Sequence, residues 1–217
     1  MTAATTFPGQ ADPASGYCND WRYTDIESAA TRLETTGFTA IEAEFSPHLL
    51  SVLRAEAAAK AQNAVPVSGT PQCRYHARLA DLGEEGMAFL AGGRLSKLLD
   101  DLFGISLRPS PGASCYTYYR PGDSLGPHLD HPELCIVTVI LYLDVLHPAA
   151  RPAETGLALH ILGSAGPGAD RLRAILPTET GTLIIGRGAT NWHERPTLQD
   201  GEYLTALTAC CSRAVST

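Results

Sequence analysis

His128, Asp130 and His193 are the residues whose types and spacing suit chemistry. The first two stand in PGDSLGPHLDH as a His-x-Asp pair, and the third follows some sixty residues later in GTLIIGRGATNWHERP. Two neutral imidazoles and one carboxylate on one face of Fe(II) leave three coordination positions for an oxidisable co-substrate and O2, which a closed structural site does not. In an extended chain the period-2 alternation turns His128 and Asp130 to one side and Leu129 to the other. The third ligand then has to arrive from a strand lying opposite. Thr182-Leu183-Ile184-Ile185 reads as a buried strand, Arg187 to Thr190 as a turn, and Trp192-His193 as the start of the next strand, which returns His193 towards the pair.

Helices precede these residues and strands surround them. Residues 1–20, rich in Ala, Thr, Pro and Gly, read as a flexible arm. Thr24-Asp25-Ile26-Glu27 is a capping box, and Ile26, Ala29, Ala30 and Leu33 share one face of a helix from Asp25 to Thr35 that Gly37 stops. FTAIEAEF alternates as a strand does. Ser46-Pro47 starts a second helix reaching about Asn63. Residues 64–81, with PVSGTPQC, read as a loop over the site of the kind that selects substrate. Helical patterns near Glu84 to Ala91 and Arg94 to Leu102 end at Gly104. From Ile105 strands dominate, and AARPAETG and GSAGPGADR are turn material between them.

A chain of 217 residues with 44% hydrophobic content is enough for one domain with a sizeable core. Net charge is -7, Lys60 and Lys97 are the lysines, and the arginines are scattered. No basic stripe results, which disfavours nucleic acid as a partner. The six cysteines lack CxxC spacing and read as reduced packing residues of an intracellular protein. MTAATTFPGQADPASG has neither a charged n-region nor an apolar h-region, so no signal peptide is expected. No apolar run approaches the roughly 20 residues that span a bilayer. The expectation is a cytoplasmic protein without a membrane partner.

The tract from Ser114 to Cys211 resembles the prolyl-hydroxylase-like branch of the Fe(II)/2-oxoglutarate-dependent dioxygenases. Four features occur in that family's order. They are Tyr118 with Pro121 and Gly122 ahead of His128-Leu129-Asp130, the apolar strand ending Leu141-Tyr142-Leu143-Asp144, the segment Gly156 to Leu162, and the strand-turn-His-Glu-x-Pro pattern ending at Pro196. The resemblance implies an α+β, mainly β fold, a double-stranded β-helix (jelly roll) buttressed by N-terminal helices. Residues 21–217 would form the single domain, with the buttress over about 21–104 and the jelly roll over about 105–213. It also implies Fe(II), 2-oxoglutarate and O2, with a C–H bond of a small molecule (an amino acid or a specialised metabolite) hydroxylated and succinate and CO2 formed. His128, Asp130 and His193 would be the metal ligands, with Tyr118 and Tyr142 on the co-substrate, Tyr142 bonding its far carboxylate. Asp130 fills the position that the halogenating branch leaves to halide.

In one place the chain departs from the family. Members carry Arg or Lys nine or ten residues after the distal histidine, paired with the far carboxylate of 2-oxoglutarate, and here those positions hold Glu202 and Tyr203. Tyr203 offers one hydrogen bond where a guanidinium offers two. Arg195, two residues beyond His193 and so on the same strand face, is the candidate replacement cation, with a surface ion pair its other reading, and Arg120 and Arg213 are the other basic residues nearby. Without such a cation the fold would serve an iron oxidase that draws electrons from its substrate. A prolyl or other protein side-chain hydroxylase and a jelly-roll binding protein without turnover are the remaining readings. His131 extends the string to HxDH, as in the HxHxDH motif of metallo-β-lactamases, but Gly126 stands where the first histidine belongs. His131 is read instead as orienting a ligand carboxylate by a hydrogen bond. His160 reads as a strand histidine, His48, His76 and His147 as solvated, Glu202 as exposed at a strand start, and Trp192 as packed at the rim.

Overall fold

Val137 to Leu146 is apolar at almost every position, the pattern of a strand buried on both faces. In the computed structural model, which describes residues 16–70, 73–147, 154–166 and 172–213, it lies in the middle of a 12-stranded antiparallel sheet. In chain order the elements are β1 (Trp21–Tyr23), α1 (Ile26–Thr36), β2 (Phe38–Ile41), β3 (Ala43–Phe45), α2 (Pro47–Lys60), β4 (Val65–Ser68), β5 (Tyr75–Asp81), α3 (Glu84–Ala91) and α4 (Gly93–Phe103). There follow β6 (Leu107–Pro109), β7 (Cys115–Tyr119), β8 (Ser124–His128), β9 (Val137–Leu146), β10 (Ala158–Gly163), β11 (Ala174–Pro177), β12 (Leu183–Gly186), β13 (Trp192–Arg195) and β14 (Tyr203–Arg213). The strand order is β11-β10-β13-β8-β5-β7-β14-β9-β12-β2, with β4 on β5 and β6 on β14, and β1 and β3 form a separate pair. The long sheet rolls so that β8, β10 and β13 face β7, β9 and β14 across a cavity. This is the expected double-stranded β-helix, with α1 to α4 on its outer side.

Alternation decides what each strand shows to which side. On β9, Val137, Val139, Leu141 and Leu143 join Leu49, Leu53, Leu98 and Leu99 of the helices in one buried cluster, while Thr138, Ile140 and Tyr142 line the cavity. On β7, Tyr116 and Tyr118 face the helices, and Cys115, Thr117 and Tyr119 face the cavity. The register of β9 with β14 skips Leu143, whose carbonyl accepts a hydrogen bond from Arg54 Nε on α2 at 2.5 Å. The buttress is thereby tied to the sheet's centre. Glu56 makes a second tie: its carboxylate accepts from the Tyr116 hydroxyl at 2.7 Å and from the backbone N–H groups of Gly83, Glu85 and Gly86 at the start of α3. Burial works to raise the Glu56 pKa, but these four donors outweigh it and hold it below the ordinary value.

Several expectations are corrected. The box at Thr24 does not cap α1: Thr24 donates from its backbone to the Glu42 carbonyl, and Asp25 takes a left-handed conformation with no side-chain cap. Ser46 does cap α2, accepting from the Leu49 N–H at 3.1 Å, and Gly37 at φ 84° closes α1. FTAIEAEF is two strands, β2 on the large sheet and β3 on β1. Within the stretch read as a loop, Val65–Ser68 and Tyr75–Asp81 are paired strands, and Pro66 is tolerated because β4 is an edge strand. With β2, β4 and β5 in the long sheet, buttress and jelly roll are not separate stretches of sequence. Cys135 and Cys210 are joined as a disulfide across a separation of 75 residues, so the reading of six reduced cysteines fails. Spacing along the chain did not reveal it, because β9 and β14 bring the two together only through their pairing, in which Cys210 stands opposite Thr138. Of the arm, residues 16–19 form one 3₁₀ turn and residues 1–15 lie outside the described residues, as do parts of AARPAETG and GSAGPGADR. No described helix is long and apolar enough to cross a membrane.

Candidate metal centre and co-substrate pocket

Antiparallel pairing of β8 with β13 sets His128 directly opposite His193, their ring centroids 4.1 Å apart. Asp130 follows two residues past His128, and its N–H donates to the Gly188 carbonyl at 3.0 Å, which fixes the chain just beyond the strand. His128 Nε2 lies 3.3 Å from Asp130 Oδ1, His193 Nε2 lies 3.8 Å from Asp130 Oδ2, and the three donors fall within 4.8 Å of one another. Leu129 points away and is exposed.

The imidazoles are set for ligation by their other nitrogens. His128 Nδ1 is 3.1 Å from the Gly126 carbonyl and 3.0 Å from the His193 carbonyl, and His193 Nδ1 is 3.0 Å from the Asn191 carbonyl. A carbonyl only accepts, so each Nδ1 carries the proton and each Nε2 presents its lone pair to the centre. Burial pushes the His193 pKa down to about 4, so at neutral pH its ring is in the form that binds metal. Burial also acts on Asp130, to raise its pKa, but the two imidazoles beside it and the Thr138 hydroxyl together hold it below the ordinary value. Thr138 donates to Asp130 Oδ2, which leaves Oδ1 turned towards His128. Gly188 gives the carboxylate its room, since a Cβ there would collide with Asp130 Oδ2 and Thr138 Oγ1. Two imidazole nitrogens and one carboxylate oxygen converging on one point fit an iron(II) site with open positions.

Arg195 lies two residues further along β13. It is 3% exposed, so a full positive charge sits inside the barrel. Its Nη2 donates to the Tyr142 hydroxyl at 2.6 Å and its Nη1 to the Gly156 carbonyl at 2.5 Å and to Thr178 Oγ1 at 3.3 Å, and the cation lies 5.3 Å from the centre of the Tyr119 ring. No carboxylate among the described residues pairs with it. A buried, unpaired guanidinium on the wall of a cavity is a receptor for an anion. The donor set and this cation share that cavity, of about 290 Å³.

The structure thus brings together His128, Asp130, His193, Tyr142 and Arg195, and it does not bring in Tyr118 or Tyr203. Tyr118 faces the helices and donates to the Ala57 carbonyl at 2.7 Å. Tyr203 pairs with Thr205 Oγ1 at 2.5 Å, under the guanidinium of Arg120. Glu202 is buried rather than exposed, and its carboxylate accepts from the Gln199 N–H at 2.7 Å, so the position expected to be basic caps a turn. His131 is exposed and accepts from the Glu133 N–H instead of orienting Asp130. His160 lies 3.5 Å from Glu194, its pairing neighbour on β13. His76, expected in a loop, stands on β5 and is exposed. The sequence reading missed Tyr119, Tyr75, Thr138 and Gly188. For Tyr119 the error is one residue in Tyr116-Thr117-Tyr118-Tyr119, where both faces are buried and alternation carries no polar mark.

Fold and donors together define a double-stranded β-helix with two histidines and a carboxylate on one face of a cavity. No family model matches the chain, and no curated protein matches it in sequence. Solved structures do match. A prolyl-4-hydroxylase from Pseudomonas putida is similar at 19% identity and TM-score 0.60, over 88% of this chain and 100% of that one. An oxidoreductase of the 2OG-Fe(II) oxygenase family from Burkholderia pseudomallei is similar at 18% identity and TM-score 0.65, over 89% and 93%. The non-heme alpha-ketoglutarate-dependent epimerase SnoN of nogalamycin biosynthesis is similar at 16% identity and TM-score 0.70, over 94% and 85%. At such identities the likeness is one of fold: the chain is built as 2-oxoglutarate- and iron-dependent oxygenases are built.

Proposed function

We propose that the protein is an Fe(II)- and 2-oxoglutarate-dependent oxygenase that hydroxylates a C–H bond of a small molecule. The observation that carries this reading is the pairing, in one cavity, of the three converging donors with the buried and otherwise unpaired Arg195. His128, Asp130 and His193 would hold the metal, and Arg195 with the Tyr142 hydroxyl would hold the far carboxylate of 2-oxoglutarate. When bound, iron and 2-oxoglutarate supply an oxidant made from O2, with succinate and CO2 as by-products. The chain's part is to place and to protect. Tyr119 and Tyr142 flank the guanidinium and hold it towards the cavity, the Gly156 carbonyl and Thr178 fix its far edge, and Leu159, Leu204 and Ile140 keep water from the reacting carbon. Glu202, which together with Tyr203 prompted the reading of an oxidase without 2-oxoglutarate, is turned into a cap, and so its charge does not oppose the co-substrate.

The test is an anaerobic titration of Fe(II)-loaded protein with 2-oxoglutarate, followed through the visible absorption of the chelate. A saturating band is expected. Iron binding without a band would remove 2-oxoglutarate from the reading, and a failure to bind iron would remove the metal centre.

A further inference from the structure

One wall of the cavity has no part in the roles above. β5, β7 and β14 present Tyr75, Thr117 and Thr208 there, with Cys115 beside them. The Thr117 and Thr208 hydroxyls lie 3.2 Å apart and Cys115 Sγ lies 3.6 Å from Thr117 Oγ1. Burial pushes the pKa of the Tyr75 phenol far up, as it pushes up that of the Cys115 thiol. These groups are therefore uncharged, and each hydroxyl can both donate and accept. Among the described residues the cavity has two charged side chains, Asp130 and Arg195. Both are engaged once metal and co-substrate are bound.

We infer that the part of the substrate entering this cavity is an uncharged, oxygen-bearing group, a hydroxyl or carbonyl on a carbon skeleton, recognised by Tyr75, Thr117 and Thr208, and that free amino acids are rejected. The inference rests on the proposed function, because it is the co-substrate on Arg195 that leaves no cation for a substrate carboxylate. A zwitterion would bring an ammonium and a carboxylate to a wall that offers neither a partner, and a buried charge without a partner is strongly disfavoured. An alcohol or ketone loses its water to hydroxyls that replace it, and a site built on such bonds discriminates sharply against ligands that cannot make them. The cavity, about 290 Å³, is at the small end of ligand pockets, so co-substrate and one end of a substrate fill it.

The test uses four probes of similar skeleton on the full chain loaded with Mn(II) and 2-oxoglutarate: 2-phenylethanol, phenylacetate, 2-phenylethylammonium and phenylalanine. Binding is read from paramagnetic relaxation of the probe's protons, without turnover, and 2-oxoglutarate binding is followed in parallel by calorimetry. The alcohol is expected to bind at least about ten-fold more tightly than any charged probe. Thr208→Val is expected to weaken the alcohol by about ten-fold with 2-oxoglutarate affinity unchanged. Equal or tighter binding of phenylalanine or either ion, no binding by any probe at millimolar concentration, or an alcohol indifferent to Thr208→Val would overturn the inference. Absent 2-oxoglutarate binding in the calorimeter would instead sink the reading beneath it.

Discussion

Replacing Gly188 with alanine should damage the metal centre without touching a ligand. The added Cβ would lie 2.8 Å from Asp130 Cγ, where ordinary contact begins near 3.4 Å, and closer still to Oδ2 and to the Thr138 hydroxyl bonded to it. The backbone has no retreat, since the Gly188 carbonyl accepts from the Asp130 N–H at 3.0 Å. The carboxylate must therefore move by about half an ångström or more, against a tolerance of about 0.2 Å for metal–ligand distances. Disturbing groups around a ligand costs about 10- to 100-fold in metal affinity, and displacing the ligand itself belongs at the upper end, near 100-fold or about 2.8 kcal/mol. Anaerobic calorimetric titration of the apoprotein with Fe(II) measures this. Thermal melting of the apoprotein measures separately the overpacking cost of about 1–3 kcal/mol. Gly112→Ala is the control, because nothing lies within 4 Å of a Cβ at that position. A Gly188→Ala protein that binds Fe(II) within about three-fold of wild type would refute the argument that this glycine gives Asp130 its place.

Three further outcomes are expected. Arg195→Ala should weaken 2-oxoglutarate by roughly 10- to 150-fold, the equivalent of a charge-assisted hydrogen bond, while Fe(II) affinity holds; calorimetry reporting unchanged 2-oxoglutarate affinity would remove Arg195 as the anchor. The Glu56 carboxyl has its pKa lowered in the fold, so its contribution is complete above the unfolded value and lost as pH falls through the folded one. Urea midpoints of wild type and Glu56→Gln should accordingly differ at neutral pH, with the gap beginning to close as pH falls below about 4, and a constant gap would show that the charge is not involved. Reducing Cys135–Cys210, which closes a separation of 75 residues, should lower stability by up to about 4 kcal/mol, with Cys135→Ser insensitive to reductant; equal urea midpoints with and without dithiothreitol would count against the bond.

Much of this was legible in the chain because chemistry and period coincide there. His128 and Asp130 stand on either side of Leu129 in an extended stretch, and Trp192-His193 follows a turn rich in glycine, so type, spacing and return direction agree. Arg195 shared the parity of His193, and the structure puts both on the cavity side of β13. Parity failed where neither face of a strand is polar, as at Tyr118 and Tyr119. Composition failed where a polar residue has a local partner: Glu202 looked exposed because it is charged, yet one backbone N–H three residues away suffices to bury it. Thr138, Gly188 and the disulfide depend on which strand lies beside which, and β9, β12 and β14 are neighbours only through long-range pairing.

The groups that choose the tautomers of His128 and His193 are main-chain carbonyls, those of Gly126, Asn191 and His193 itself. A carbonyl belongs to every residue type, so side chains at 126 and 191 can be exchanged during divergence without a proton changing place on either ring, provided the strand ends keep their course. Selection on the metal centre then falls on three side chains, on Thr138 and Gly188 beside the carboxylate, and on a backbone path that many sequences can follow. Divergence can rewrite most of such a sequence and leave its backbone path intact, and a likeness of fold to solved oxygenases persists here at 16–19% identity.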